Sequence, residues 1–300
     1  MLLEVRNLRV TFRRDGREIV PVRDVSFTVP EHGRVALVGE SGCGKSLTAL
    51  SLKRLSPTDR ATVSGTIKAP ARIAYVFQNP SDSLNPVMRI RDQIREALPG
   101  GMDRAAQDER IVQLLERTGL PDPQRAARAY PCELSGGQQQ RCMIAMALAA
   151  APDLLVADEP TTALDVTTQK QVLELIDSLA AETGMAVLLI THNLGLVAGR
   201  MDFVNVMYAG QIVEAGPVVD VLAAPRHPYT KGLLAAVPAL DAPRDAPLAD
   251  IPGTVPPPDR WPPGCAFAPR CALATDACSR EEPSMTRDGS RHWRCSLKGS

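Results

Sequence analysis

The chain has 300 residues, more than a typical single domain, which favours one large domain with a smaller appendage. Hydrophobic residues make up 44% of it and charged residues 23%, the composition of a folded protein with a real core. Lys and Arg total 34 and Asp and Glu total 34, and this neutral balance argues against a dedicated nucleic-acid-binding protein.

The sequence carries no pattern of a secretory signal or of a membrane-spanning helix. Glu4 and Arg6 place charges too early for a signal peptide. The longest uncharged apolar run, residues 142–151, is about half the length that a spanning helix needs. We therefore expect any membrane association to be peripheral. The seven Cys are expected in a reducing compartment, where thiols serve metals or chemistry more often than disulfides.

The first predicted elements are β-strands. Hydrophobic residues alternate through residues 2–29, which is typical of antiparallel strands with one buried face. Residues 34–38 form a short apolar run that stops at Gly39 and predicts a buried strand. The following segment, about residues 81–150, is mostly helical in pattern and predicts a helical subdomain.

Two further buried strands are predicted at residues 154–157 and 186–190, separated by a helix that ends at Gly184. Strands alternating with helices indicate a parallel sheet covered on both faces. The composition changes near residue 240, because residues 241–300 hold ten of the 26 Pro, both Trp and four of the seven Cys. We predict a domain at residues 1–240 and an extension with little regular structure at residues 241–300.

A glycine-rich segment follows the predicted strand at residues 34–38 and matches G-x-x-x-x-G-K-[ST]. Glycines let successive backbone N–H groups curve around phosphate oxygens, and the following helix adds its positive N-terminal end. Lys45 is predicted to reach the β- and γ-phosphates, and the Ser46 hydroxyl to ligate Mg²⁺. The candidate nucleotide-binding residues are Gly39, Glu40, Ser41, Gly42, Cys43, Gly44, Lys45, Ser46 and Leu47.

Two carboxylates end the apolar strand predicted at residues 154–157. Asp158 lies where a Mg²⁺ partner is expected, at the carboxyl end of a central strand. Glu159 is one residue further and is predicted to polarise the attacking water as a general base. The pair is a weak signal alone, and the glycine-rich loop upstream strengthens it.

About twenty residues before Asp158 lies Leu134–Gln138, with the sequence LSGGQ. It resembles the signature of ATP-binding cassette (ABC) ATPases, and other motifs of that family occur in the expected order. The resemblance implies four more site assignments: a glutamine that contacts Mg²⁺ and water, an aspartate of the D-loop at residues 163–165, a switch histidine near the γ-phosphate, and an aromatic residue stacked on adenine. These are Gln78, Asp165, His192 and Phe12.

The resemblance covers residues 1–240 and implies an α/β fold. That fold is a P-loop ABC ATPase cassette with a RecA-like parallel-sheet core, an antiparallel β subdomain and a helical signature subdomain. It also implies that ATP and Mg²⁺ bind between two cassettes, the second being homologous or identical. The phosphate loop of one cassette then faces the signature residues of the other, which are Ser135, Gly136, Gly137 and Gln138.

Three segments resemble the ATPases of oligopeptide/dipeptide permeases, the peptide–nickel group of bacterial importers: Ser83–Pro86, Thr161–Thr167 and His227–Leu234. The resemblance implies a peripheral subunit at the cytoplasmic face of the inner membrane that hydrolyses ATP to energise import of di- or oligopeptides. Its partners would be two integral membrane permease subunits and, indirectly, an extracytoplasmic substrate-binding protein. Alternatives stay open: an ABC ATPase for another solute such as nickel, a non-transport ABC ATPase, or a metal-responsive regulator with a vestigial cassette.

Cys265, Cys271, Cys278 and Cys295 cluster in the extension, separated by five, six and sixteen residues. So short a segment buries little core, which favours a metal staple, although the paired C-x₂-C spacing of most zinc sites is missing. Residues 264–271 resemble the family's tail, which in some members ligates a [4Fe–4S] cluster through four such cysteines. Zinc and unligated thiols are the alternatives.

Cys43 lies inside the predicted anion-binding loop, near Lys45. The pKa of a thiol in such a position is commonly lowered, which makes it more reactive. The sequence therefore predicts a thiol that maleimides modify and that bound ATP protects.

Overall fold

The computed structural model describes residues 1–14, 16–53, 61–162, 164–237 and 250–297. The chain divides into two compact units. Unit 1 comprises Met1–Ala69 and Leu189–Ser300, and unit 2 comprises Pro70–Leu188.

Unit 1 begins with antiparallel strands. β1 (Leu3–Arg14) pairs with β2 (Arg17–Val29) along one edge. β3 (Arg34–Val38) and α1 (Lys45–Ser51) follow, and β4 (Ala61–Lys68) then pairs with the other edge of β1. Alternate hydrophobic side chains of β1 are buried, as a strand with one solvated face requires. These strands confirm the antiparallel prediction for the N-terminal segment.

Unit 2 contains two parallel strands, β5 (Ile73–Val76) and, after a run of helices, β6 (Leu154–Asp158). The described residues between them form five α-helices, which confirms the predicted helical subdomain. These are α2 (Pro80–Ser83), α3 (Ile90–Ala97), α4 (Arg104–Arg117), α5 (Pro123–Arg128) and α6 (Gly136–Ala149).

The last helix of unit 2, α7 (Val166–Thr183), has polar caps at both ends. The Asp165 carboxylate accepts a hydrogen bond from the Thr168 N–H at 3.0 Å, and Gly184 ends the helix with a φ of 69°. A left-handed residue at this position suits glycine, which has no Cβ to clash, so the predicted stop is confirmed. β7 (Ala186–Thr191) then leads from unit 2 into unit 1.

Unit 1 resumes with a hairpin of β8 (Phe203–Tyr208) and β9 (Gln211–Pro217). β8 lies parallel to β3, and Val38 pairs with Val206 at the end of that ladder. The strand order within unit 1 is β4-β1-β2-β9-β8-β3. β3 is buried along almost its whole length, as strands covered on both faces are.

The rest of unit 1 consists of short elements, and the predicted extension at residues 241–300 stays a prediction. β11 (Arg291–Trp293) pairs antiparallel with β9, so the extension continues the sheet of unit 1. The predicted domain boundary near residue 240 falls in residues 238–249, outside the described residues, and stays a prediction. The elements are α8 (Val218–Ala223), α9 (Pro228–Ala235), α10 (Asp276–Arg280), β10 (Thr286–Asp288) and β11 (Arg291–Trp293).

The helices are too short or too polar for a membrane span. Throughout the described parts of the chain, none combines the length and the apolar character that crossing a bilayer demands.

Candidate functional site

The glycine-rich segment forms a loop between β3 and α1, and its glycines lie where other residues would collide. A Cβ atom on Gly39 would approach the carbonyl oxygen of Met207 to 2.1 Å. Gly44 has a φ of 104°, and a Cβ there would lie 2.8 Å from the carbonyl oxygen of Pro21. The loop backbone therefore packs directly on the strands beside it, which only glycine allows at these two positions.

Lys45 is the first residue of α1 and is 4% exposed. Its Nζ donates hydrogen bonds to the carbonyl oxygens of Gly39 at 2.7 Å and of Glu40 at 3.0 Å. The ammonium group thus lies within the curve of the loop, as a phosphate-binding lysine should. Among the neighbouring candidates, Ser41, Gly42 and Ser46 are exposed and Leu47 is half-buried.

Cys43 does not have the environment that the sequence predicted. Its side chain is fully buried, and this burial raises the pKa of its thiol. The attraction of Lys45 lowers that pKa only in part. The lowered pKa that the sequence predicted for this thiol was wrong, because the side chain is buried even though its backbone lies in the glycine-rich loop.

Unit 2 holds a cluster around Glu159, just beyond the end of β6. Oε2 of Glu159 accepts hydrogen bonds from Nε2 of Gln78 at 3.4 Å and from Oγ1 of Thr162 at 3.1 Å. The backbone of Glu159 has a φ of 47°, in the left-handed region. Such strain in a residue other than glycine clusters at functional sites. Asp158 precedes it as the buried last residue of β6.

The signature residues cap α6. The Ser135 hydroxyl accepts a hydrogen bond from the Gln138 N–H at 3.3 Å, and the Ser135 N–H donates to Oε1 of Gln138 at 3.0 Å. This reciprocal pair fixes the first turn of the helix. Apart from its chain neighbours and the backbone of its own helix, no described atom lies within 4 Å of a Cβ built on Gly136. Gly137 lies against the methyl group of Thr168.

The other predicted site residues occupy different elements. Asp165 is the N-cap of α7, where the Thr168 hydroxyl and N–H hold the pKa of its carboxyl below its usual value. His192 is exposed just after β7, and Phe12 is half-buried in β1 beside Ile19 of β2. Ala163 of the predicted D-loop lies outside the described residues. The roles of these residues stay predictions.

The sequence analysis missed the contacts that hold the phosphate loop from its outer side. The Glu40 N–H donates to Oη of Tyr229 at 2.8 Å, and the Glu40 carboxylate receives a two-pronged contact from Arg270. Tyr229 lies in the segment that resembles the permease ATPases, and Arg270 lies between two of the clustered cysteines. Because these contacts join residues about 190 to 230 positions apart, no local sequence pattern predicts them.

His227 explains part of the segment that resembles the permease ATPases. Its Nδ1 accepts a hydrogen bond from the Tyr229 N–H at 3.1 Å and so caps α9, with Pro228 as the first helical residue. Burial lowers the pKa of His227 to about 4, so the ring is neutral near pH 7. A neutral ring is required, because a protonated Nδ1 could not accept this hydrogen bond.

Four cysteines of the extension line one cavity. Cys265, Cys271, Cys278 and Cys295 share it with apolar neighbours such as Phe267. In the part of the chain that the structure describes, no three His, Cys, Asp or Glu side chains are placed to hold a single metal ion. The predicted convergence of the four thiols is thus present, and a single-ion site is not.

Family models and individual relatives both link this chain to ABC transporters. The chain matches the family described as "ABC transporter" over residues 22–162, and that described as "Oligopeptide/dipeptide transporter, C-terminal region" over residues 213–278. A protein of Brucella abortus (strain 2308), provisionally named a peptide import ATP-binding protein, is 47% identical over 98% of this chain and 94% of its own length. A protein of Brucella ovis with the same provisional name is also 47% identical, over 97% and 95%.

Solved structures with a similar fold are ABC cassettes. A dimeric cassette in a post-hydrolysis state with ADP and phosphate is 26% identical and covers 72% of this chain and 99% of its own, with a TM-score of 0.62. The cbiO1 protein of Clostridium perfringens, part of the ABC transporter complex cbiONQ, has a TM-score of 0.63 over 74% of this chain and 90% of its own. At 23% identity the second likeness concerns the fold alone.

The buried thiol of Cys43 leads to a prediction about chemical modification. A maleimide added to the folded protein near pH 7.5 should label the exposed Cys132 rapidly and leave Cys43 unmodified, since Cys43 has both low access and a raised pKa. Mass spectrometry of proteolytic peptides measures both rates in one sample, so Cys132 serves as the internal control. Labelling of Cys43 as fast as Cys132 would contradict the burial described here.

Proposed function

This chain belongs to the ABC transporter family of ATPases, and from that premise we propose that it energises the import of di- or oligopeptides through a bacterial permease. The observation that carries the proposal is the match of residues 213–278 to the C-terminal region of oligopeptide/dipeptide transporters. The near-complete alignment with peptide import ATP-binding proteins supports it. A vestigial cassette is disfavoured by the intact set of motifs.

ATP binding is assigned to the phosphate loop and its flanking residues. The loop amides and Lys45 hold the β- and γ-phosphates, and Phe12 stacks on the adenine. The family resemblance assigns Ser46, Asp158 and Gln78 as the residues that would hold Mg²⁺. The buried carboxylate and exposed hydroxyl fit a hard cation, which neutralises phosphate charge when bound.

Hydrolysis is assigned to Glu159 as the general base. Gln78 and Thr162 fix its carboxylate through hydrogen bonds to Oε2, and the strained backbone fixes where the side chain starts. A carboxylate held in this way can take a proton from the attacking water. His192 completes the contacts to the γ-phosphate.

A second cassette completes the site. Ser135, Gly136, Gly137 and Gln138 of one copy face the γ-phosphate bound to the other, and Asp165 lies beside that junction. The N–H groups at the start of α6 provide the positive end that an anion prefers. Hydrolysis splits off the γ-phosphate that bridges the two copies, which leaves as inorganic phosphate, and this lets the copies separate.

Replacement of Glu159 by Gln tests the catalytic assignment. Glu159→Gln keeps the shape of the side chain but removes the base, so ATP turnover should fall at least about 100-fold while ATP affinity is retained. ATP should then hold two cassettes together long enough for gel filtration to show a dimer. Lys45→Ala is the contrasting variant and should lose ATP binding itself. Unchanged turnover in Glu159→Gln would refute the assignment.

Transport is proposed to require a membrane complex. The cassette pair would dock peripherally on the cytoplasmic side of two integral permease subunits, and an extracytoplasmic binding protein would deliver the peptide. A surface suited to docking lies near Gln78, where Phe77 and Val87 are exposed large hydrophobic residues.

Reconstitution tests this proposal directly. The chain is co-expressed with candidate permease and partner-cassette subunits from its own source, and the complex is placed in vesicles with a candidate binding protein. Labelled di- and tripeptides should accumulate in an ATP-dependent manner, and the complex carrying Glu159→Gln should not transport them. Purification of the chain without membrane subunits, or stimulation of hydrolysis by a nickel-loaded binding protein but not by peptides, would overturn the peptide-import proposal.

The cysteine cavity is proposed to hold a [4Fe–4S] cluster through Cys265, Cys271, Cys278 and Cys295. All four thiols line one cavity, yet no three are placed for a single ion. The support for the cluster is the shared cavity together with the resemblance of residues 264–271 to the family's tail. The cluster would supply a covalent staple to a segment with little core of its own.

Anaerobic purification tests for the cluster. Iron and acid-labile sulfide should each approach about four per chain, with the broad visible absorption of such clusters. Cys271→Ser should lower both contents, while Cys132→Ser, which changes an exposed thiol far from this cavity in sequence, should leave them unchanged. Stoichiometric zinc, or no metal at all in the anaerobic protein, would refute the cluster.

A further inference from the structure

Every polar group of Glu40, the second residue of the phosphate loop, has a partner within the protein. Its N–H donates to Oη of Tyr229 at 2.8 Å, and its carbonyl oxygen accepts from Nζ of Lys45 at 3.0 Å. Its carboxylate accepts from Nη1 of Arg270 at 2.7 Å and from Nη2 at 3.0 Å. Two of these three partners come from the C-terminal part of the chain rather than from the loop.

Arg270 is itself held in one orientation. Its Nε donates to the carbonyl oxygen of Pro252 at 2.8 Å, and Nη2 donates to that of Ile251 at 3.0 Å. The guanidinium lies 5.8 Å from the ring centre of Tyr208 and 6.0 Å from that of Phe267, and its side chain is 4% exposed. A guanidinium fixed by backbone and aromatic groups is ready to bind a carboxylate with both prongs.

We propose that Arg270 is a positioning residue for ATP binding, which acts on the phosphate loop through Glu40. The C-terminal extension would thereby set the nucleotide affinity of the cassette that it belongs to. This role differs from the energising of transport and from any metal that the cysteines bind.

Charge gives the first reason. Glu40 places a carboxylate in a loop whose amides gather the negative phosphates of ATP. The Glu40 side chain is only 31% exposed, so water screens its charge incompletely. Arg270 neutralises it at hydrogen-bond distance. Without Arg270, the unpaired carboxylate would repel the phosphate groups and would move toward solvent.

Position gives the second reason. The Glu40 backbone follows Gly39, which packs directly on the Met207 carbonyl, so a shift of Glu40 displaces the amides next to it. The Tyr229 hydroxyl holds the backbone of Glu40, and Arg270 holds its side chain. Tyr229 and Phe267 are in ring contact at 5.4 Å between centroids, which braces this side of the loop.

The same segment reaches the cysteine cavity. Phe267 lines that cavity, and Arg270 directly precedes Cys271. A change in the packing of the cavity could therefore reach the phosphate loop through two residues. The inference about Arg270 does not depend on this connection, since the contacts to Glu40 stand without it.

A double-mutant cycle tests whether Arg270 acts through Glu40. Arg270→Met and Glu40→Met each keep a long side chain but remove its charge and therefore the charged contact. Arg270→Met alone should raise the Kd for ATP about tenfold or more, and in the Glu40→Met background the same change should alter it less than about twofold. Binding of a fluorescent ATP analogue to the complete chain measures all four proteins. Equal factors in both backgrounds would overturn the proposal.

Arg294→Met is the matched control. Arg294 also lies in the extension and pairs with a carboxylate of the cassette that is not part of the phosphate loop, with Nη2 2.6 Å from Oδ2 of Asp24. It should leave the Kd for ATP within about twofold of the unaltered chain. Thermal unfolding and iron content are measured for each variant. A Kd raised as much in Arg294→Met as in Arg270→Met would show a general effect of the extension and overturn the proposal.

Steady-state hydrolysis gives a second readout. A positioning role in binding should raise KM in Arg270→Met and leave kcat within about threefold, because the residues assigned to the chemistry are unaltered. A fall in kcat without a rise in KM would contradict it. If Arg270→Met does not fold, Arg270→Lys enters the same cycle, since lysine keeps the charge but loses the two-pronged contact. Arg270→Lys should then raise the Kd for ATP in the chain that keeps Glu40 and leave it unchanged in the chain that carries Glu40→Met.

Discussion

The phosphate loop packs so closely on the backbone of a neighbouring strand that there is no room for a side chain at the point of contact. Gly39 meets the carbonyl oxygen of Met207, and Val38, one residue earlier, pairs with Val206 in the β3–β8 ladder. The position of the loop therefore depends on the register between β3 and β8, two strands that lie far apart in the sequence. Any slip of that register would bring Gly39 against a different backbone group, so the binding site is as accurate as the sheet that carries it.

Glu159 shows a different way of placing a site residue. Its left-handed backbone costs on the order of 1–3 kcal/mol, which the surrounding structure must offset. β6 is buried along its whole length and ends immediately before this residue, so the strand anchors one side of the strained turn. Thr162 and Gln78 then fix the carboxylate on the other side. The strained backbone and these two contacts together fix the orientation of the Glu159 side chain.

Local patterns in the sequence were sufficient for the elements whose causes are local. The glycine-rich loop, the strand that ends at Asp158 and the helix stop at Gly184 were all predicted, because each depends on a few adjacent residues. The ABC fold followed from the order of such motifs and is confirmed by the similar cassettes. The strain at Glu159 was not predictable, since it depends on packing rather than on residue type.

Contacts across large sequence distances had no such signal. Arg270 read as one residue of a family tail, and nothing near it in the sequence pointed to Glu40. Cys43 was misjudged for a related reason: its neighbours in the chain include Lys45, but its side chain faces the buried side of the loop. Side-chain direction within a loop is decided by the elements that the loop packs against, and a motif does not show them.

The charges of the extension show why it is part of the cassette's own unit. Glu214 of β9 is fully buried. Its carboxylate accepts hydrogen bonds from the backbone N–H groups of Arg226 and His227, each at 2.8 Å. It also forms an ion pair with Arg291 of β11 at 3.3 Å. A buried carboxylate needs such compensation, because loss of one partner leaves an uncompensated charge.

The pattern repeats along the extension, where arginines face carboxylates of the cassette. The pairs are Arg270 with Glu40, Arg291 with Glu214, and Arg294 with Asp24. Because one of the three carboxylates lies in the phosphate loop itself, the contacts that fasten the extension also determine the electrostatic setting in which nucleotide binds.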